Sequence, residues 1–220
     1  SQMPSIEEFA AHLLDQQLRC HGLVTLKGLT YLRRNTELRK TVKALVNERL
    51  AQGSLEQVQL NCGENFILEA GAFAQTPPRM NNRLLILSPF DNSVIQRERL
   101  KTLFQYDYQI ECYVPAAKRQ FGYFSLPLLY RGEFIGRMDC KAHRKDRHLE
   151  IKSLHLEPRY FNDGSVAFKF WGGIESDFEN ALVEAISQFS QFQACDSVSL
   201  TQAYPKQLTQ SLRGALKHLG

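Results

Sequence analysis

No run of about 18 apolar residues occurs in this 220-residue chain, so no helix read from it can cross a bilayer, and no membrane partner is expected. The opening Ser1-Gln2-Met3-Pro4 has neither the cationic nor the apolar stretch of a secretory leader. With no Met at position 1, a processed or truncated piece is expected. Cysteine is sparse: Cys20, Cys62, Cys112, Cys140 and Cys195 are odd in number and form no C-x-x-C pair. That usage argues against a disulfide framework and fits a reducing cytoplasm. Cys140, His143 and His148 are the nearest thing to a metal cluster. On a strand, however, Cys140 and His143 point to opposite faces, and no fourth ligand is evident, so neither a metal nor another cofactor is expected. Gly-rich phosphate loops, nucleophile elbows, internal repeats and low-complexity tracts are also missing, which removes several enzyme classes.

What remains is a chain with 43% apolar residues and 10% aromatics, enough to build one large or two small cores. The clearest composition shift is Gly71 to Asn82, with Pro77-Pro78 and two asparagines, which reads as a linker. It divides the chain into expected domains at 1–75 and 83–220.

The first part reads as helical. Ser5-Ile6-Glu7-Glu8 is a capping box, and Ile6, Phe9, Leu13, Leu14 and Leu18 recur at helical spacing until Gly22. A brief helix is expected over 27–32. A third runs from an Asn35 or Thr36 cap to Gly53, with Leu38, Val42, Leu45 and Leu50 inward. Two β-prone runs, Glu56 to Leu60 and Asn65 to Glu69, flank Asn61-Cys62-Gly63-Glu64 and predict a hairpin. Three helices followed by a hairpin is the element order of a winged helix. Thr36, Arg39, Lys40, Lys43 and Asn47 fall on the polar side of the third helix, as a groove-entering helix requires. An ordinary solvated face has the same composition.

In the second part a strand is expected at Arg83 to Leu87 and a helix between Ser93 and Phe104. Further strands are expected at Tyr108 to Val114, Gly122 to Tyr130, Glu133 to His143 and His148 to Leu156. Short connections between them predict an antiparallel sheet, with Pro127 at an edge or a bulge. A helix over Glu175 to Phe192, a strand at Ser197 to Leu200 and a last helix complete an α+β reading. In the Glu133 to His143 run, alternation sets Phe134, Gly136, Met138 and Cys140 against Arg137, Asp139, Lys141 and His143. Between Tyr113 and Lys145 there are seven Lys or Arg (118, 119, 131, 137, 141, 144, 145) against two acids, Glu133 and Asp139. Tyr113, Phe121, Tyr123, Phe124 and Tyr130 are interleaved with them. A polyanion fits this composition, and so does a sheet whose outer face is merely charged.

Several strings in this part occur in one order: Leu87-Ser88-Pro89-Phe90-Asp91, Gln96-Arg97-Glu98-Arg99, Leu103-Phe104, and Glu111 through Tyr123 (ECYVPAAKRQFGY). Leu126-Pro127-Leu128-Leu129 and Gly136-Arg137-Met138-Asp139-Cys140-Lys141-Ala142-His143-Arg144 follow. Together they resemble the C-terminal region of the YcaQ/AlkZ-type winged-helix DNA glycosylases over roughly residues 84 to 157. Residues 1 to 75 match the preceding winged helix of that family only by element order.

The resemblance implies a bacterial DNA-repair hydrolase that excises alkylated purines and unhooks interstrand crosslinks. Its implied architecture is a winged-helix domain followed by an antiparallel β-rich, barrel-like domain with flanking helices. A crosslinked base cannot be swung into a closed pocket, so an open cradle is expected. An N7-alkylated purine is already a good leaving group, so a polar side chain need only position water and stabilise the developing sugar cation. In the family that side chain belongs to a Gln-x-Gln or Gln-x-Asp motif in an upstream winged helix. Gln57-Val58-Gln59 and Gln105-Tyr106-Asp107 have the letters but not the place, so no catalytic residue is expected here. Asp91 is expected to serve as a cap or ion-pair partner. Arg39, Lys40, Lys43, Lys118, Arg119, Arg137, Lys141 and Arg144 are expected to contact DNA. The expected partners are damaged or crosslinked duplex DNA and the N-terminal domain of the same protein. A non-catalytic winged-helix regulator with a ligand- or protein-binding second domain is the alternative, distinguished by preference for one operator sequence.

Overall fold

A computed structural model describes residues 3–79, 81–160 and 175–217. The chain forms two units, the first Ser1–Pro78 with Ile95–Asp107 and the second Arg79–Val94 with Tyr108–Gly220.

In the first unit, helix α1 (Ile6–His21) starts where its capping box predicts. The Ser5 hydroxyl accepts from the Glu8 amide, and the Glu8 carboxylate accepts from the Ser5 amide. Gly22, at a φ of 68°, ends the helix with its N–H on the Leu18 carbonyl. A one-turn helix α2 (Leu26–Leu29) and helix α3 (Thr36–Ala51) follow, the latter capped by the Asn35 side chain. Leu13, Leu14 and Leu18 of α1 meet Leu38, Val42 and Val46 of α3, and each fully buried leucine contributes about 1.5–3 kcal/mol. Strands β1 (Leu55–Gln59) and β2 (Asn65–Glu69) form an antiparallel hairpin, and Val24 bridges to Ile67 on its far side.

The expected boundaries differ from these units at one segment. Strand β3 (Leu84–Ile86) belongs to the second unit, whereas helix α4 (Arg97–Phe104) packs with the first. Buried polar contacts are the reason. The Gln96 amide nitrogen donates to Gln17 Oε1 and to the Gly28 carbonyl, and it lies 3.2 Å from His21 Nε2. Arg99 donates to the His21 and Leu23 carbonyls at the end of α1, where a cation is favoured. Gly28 makes the fit possible, because a Cβ there would lie 2.6 Å from Gln96 Oε1. Periodicity carries no trace of such a contact.

The second unit is built on one sheet in the order β3, β4 (Ser125–Tyr130), β5 (Glu133–His143), β6 (His148–Leu156) and β7 (Ser197–Tyr204). The first four strands are antiparallel, and Arg131 and Gly132, both at positive φ, form the tight turn between β4 and β5. Helix α5 (Glu175–Phe192) separates β6 from β7, which therefore returns parallel to β6. The expectation of an all-antiparallel, barrel-like sheet is corrected: among the described residues the sheet is open. No strand forms at Tyr108 to Val114 either, where one was expected. Pro127 lies past the end of the β3 pairing and next to a register shift at Leu128/Leu129.

Helices α5 and α6 (Gln207–Leu216) cover one sheet face, with Phe178, Leu182, Ile186, Leu208 and Leu212 on Leu128, Ile135, Met138, Ile151 and Leu154. Ile135 is the extra residue of a bulge, since Gly136 pairs with Leu128 and Phe134 with Leu129. The bulge explains why Ile135 and Met138 share the core face, which strict alternation forbids. Gly136 is held against the next strand, where a Cβ would lie 2.2 Å from the His155 carbonyl oxygen. The substitution Gly136→Ala is expected to destabilise the unit by about 2–3 kcal/mol in thermal denaturation. Gly214→Ala, on α6 with open space around its Cβ, should instead stabilise it by about 0.5–1 kcal/mol.

Candidate nucleic-acid interface

The turn between β5 and β6 ends the sheet in a cluster of charge. Lys141, Arg144 and Lys145 are exposed there, as is Lys118 on the neighbouring stretch of sequence. Among the described residues, no carboxylate lies within ion-pairing distance of these four. Asp146 is also exposed in this turn, so the cluster carries one acid among its cations, and two further charges are matched internally. Arg147 pairs with Asp196 at the start of β7, and His143 Nε2 lies 2.8 Å from a Glu150 oxygen. That hydrogen bond holds the Glu150 carboxyl below its usual range against the opposing effect of burial. On the first unit, Arg39, Lys40 and Lys43 are exposed on α3, together with Thr36 and Asn47.

Arg137 is elsewhere. It was expected on an outward cationic face, and the structure corrects this: its side chain is 3% exposed, with Nη2 2.8 Å from Glu157. The guanidinium stacks 4.0 Å over the Phe121 ring, with Tyr108 at 5.7 Å. Alternation does place Arg137 opposite Met138, as expected. That face, however, is roofed by the irregular segment from Tyr108 to Phe124. A charge buried in this way is held by its partners, and deleting one of them costs about 3–5 kcal/mol.

Two carboxylates fix the roof. Glu111, buried, accepts from the amides of Gln120 (2.9 Å), Phe121 (2.7 Å) and Gly122 (3.1 Å). Asp139, also buried, accepts from the amides of Tyr123 and Phe124, both at 3.1 Å. Consecutive N–H groups from 120 to 124 thus point at negative charge, and Ser125 and Ser153 hydroxyls donate to the Phe121 carbonyl. Gly122 sits at φ 130°, where a Cβ would lie 2.2 Å from Asp139 Oδ2, so only glycine fits. Burial alone would raise the Glu111 carboxyl. The three amides and the charge of Arg137 outweigh it and hold the group below its ordinary value of 4.5. His155 stacks on Tyr204 and meets Phe121 edge-on. Burial, and then the charge of Arg137, push its pKa below the usual imidazole value against the opposing carboxylates of Glu111 and Asp139.

The outer side of the roof carries Lys118, Arg119, Tyr113 and Tyr123. Arg119 is half-buried, with its guanidinium 4.9 Å over the Tyr123 ring and Nε on the Val114 carbonyl. Tyr113 is 91% exposed. The structural roles of Glu111 and Asp139 in holding this surface are what the sequence reading missed. For Glu111 the one signal is an acid inside an aromatic, mostly apolar run followed by a glycine at 122; Asp139 sits among the charges of β5 and has no such signal.

The remaining candidates occupy structural positions. Gln57 and Gln59 are exposed on β1, Gln105 follows α4 in a left-handed conformation, and Asp107 pairs with Lys101. Asp91 accepts from the Ser93 amide and hydroxyl, a local turn rather than a pair with Arg97 or Arg99. Among the described residues no group of three His, Cys, Asp or Glu is placed to hold a metal ion. The Cys140 thiol is pushed up to about 12, chiefly by burial, and Asp139 adds to this. None of the described helices is long and apolar enough to cross a membrane.

Comparison with known proteins gives two findings. The sequence signature of a family described as DNA glycosylase AlkZ-like matches residues 3–192. The solved structure of Streptomyces sahachiroi DNA glycosylase AlkZ superimposes with a TM-score of 0.51 at 14% identity, over 91% of this chain and 48% of that one. At that identity the likeness is one of fold, and the chain spans about half the length of that enzyme.

Because the Glu111 carboxyl lies below its unfolded value, its stabilisation is fully present above the ordinary carboxylate range. It is lost as pH falls through the depressed value. Glu111→Gln is therefore expected to lower stability by about 2 kcal/mol at neutral pH. The difference from the unsubstituted chain should close in acid, as followed by denaturant midpoints across a pH series.

Proposed function

This chain belongs to the AlkZ-like DNA glycosylase family, and from that premise we propose that it is the duplex-holding, C-terminal portion of a DNA-repair glycosylase. The observation that carries this reading is the set of exposed cations Lys118, Lys141, Arg144 and Lys145, with no carboxylate within ion-pairing distance among the described residues. Exposed cations that close no ion pair within the protein are what a phosphate backbone takes up, each contact releasing condensed counterions without reading sequence. Arg137 has no part in this contact. It holds the roof segment from inside. Arg119 is committed to Tyr123 and Val114 and contributes at most an edge.

The first unit is read as a winged helix, supported by the consecutive helices α1 to α3, the short Val24–Ile67 bridge and the β1–β2 hairpin. Its third helix offers Arg39, Lys40 and Lys43 as a separate cationic surface. Cleavage of the N-glycosidic bond is assigned to a winged-helix portion outside these residues, because neither Gln57-Val58-Gln59 nor Gln105-Tyr106-Asp107 stands where such a motif works. The proposed substrates are alkylated purines in duplex DNA, including crosslinked ones.

Lys118→Ala, Lys141→Ala and Arg144→Ala combined are expected to weaken duplex binding and to reduce the slope of log K against log salt by about 2–3. Fluorescence anisotropy between low and moderate salt measures this. An unchanged slope would move the contact surface elsewhere, and a single preferred operator sequence would favour a regulator. Arg39→Ala, Lys40→Ala and Lys43→Ala, tested together, separate a DNA-touching α3 from a scaffold one. Base excision by the isolated chain would contradict the assignment of chemistry outside it.

A further inference from the structure

The roof segment is more rigidly built than a phosphate grip requires. Phosphate contacts tolerate flexible lysines. Here five successive amides are tied to two buried carboxylates, a glycine is packed where no side chain fits, and a buried arginine is stacked beneath Phe121. The turn that bears Tyr113 is rooted in the same device, because the Val114 amide donates to the Glu111 carbonyl and Arg119 Nε donates to the Val114 carbonyl. Tyr123 already has a guanidinium over its ring. Tyr113 has no ring or cation partner among the described residues and is the most exposed large hydrophobic side chain of those in the described structure.

We propose that Tyr113 stacks on a nucleobase that has lost its neighbour in the duplex, with Glu111 and Asp139 as positioning residues that hold the tyrosine ready. The proposal rests on the duplex-holding reading above. With its backbone tied in place a tyrosine has only two side-chain torsions to settle on contact, and every base offers a face to it, so the interaction selects distorted DNA without selecting sequence. That selectivity is what four surface cations cannot supply, since phosphates are alike in intact and damaged duplex.

The test compares an intact duplex with the same duplex carrying one unpaired base, using the full chain at fixed salt. The chain is expected to bind the second about tenfold more tightly. Tyr113→Ala should abolish that preference while leaving intact-duplex binding and its salt slope unchanged, and Tyr113→Phe and Tyr113→Trp should restore it. Tyr113 is exposed, so these variants fold irrespective of the outcome. Glu111→Gln is expected to reduce the preference without altering the salt slope. Equal binding of the two duplexes by the unsubstituted chain, or a preference that survives Tyr113→Ala, overturns the stacking role and leaves the cationic grip standing. Absence of binding to either duplex removes both.

Discussion

A guanidinium inside a protein must be surrounded by groups that want it there, and Arg137 organises much of the second unit by that requirement. Its stack on Phe121 fastens the irregular segment to β5, and its ion pair with Glu157, just past the end of β6, neutralises the buried charge. The negative charges of Glu111 and Asp139 then find their hydrogen bonds in the backbone of that segment. Charge on the strand and amides on the roof satisfy each other. Neither would be stable without the other, because unpaired buried charge is far more costly than the exposed alternative. The polar cluster therefore does the work that apolar packing does on the opposite face, where α5 and α6 lie.

This division of labour separates inner charges from outer ones. Lys118, Lys141, Arg144 and Lys145 contribute little to holding the fold and remain available to solvent. Arg137, with the same formal charge and a neighbouring position in sequence, is structural. The counting of cations along a strand cannot distinguish these classes. What distinguishes them is whether another part of the chain covers the face.

Much was legible from the residues. The Ser5–Glu8 box, the Gly22 stop, the hairpin turns and the span of α5 follow directly from local chemistry, and of the two caps open to α3, Asn35 and Thr36, the structure uses Asn35. The alternation of β5 from Gly136 onward was also correct, although the bulge at Ile135 broke it earlier. What escaped depends on long-range pairing. Gln96 and Arg99 join α4 to the first unit through contacts with residues about 70 or more positions away. The roof at Glu111 depends on amides that periodicity treats as anonymous. The direction of β7 depends on a crossover helix, which short-range strand signals do not encode. The candidate surface divides likewise: the exposure of Lys118, Lys141 and Arg144 is legible in the sequence, and the backbone amides that Glu111 and Asp139 hold are not.

The parallel return of β7 alongside β6 has one more implication. Strands β4, β5 and β6 are consecutive hairpin partners joined by short turns, whereas β7 reaches β6 through the long crossover that carries α5, a pairing of high sequence separation that is expected to form later. Until then the open row of amides and carbonyls along β6 is a template for any passing chain. Strand β7 thus shields the edge of its neighbour, and substitutions that delay its docking are expected to show first as self-association rather than as loss of the grip.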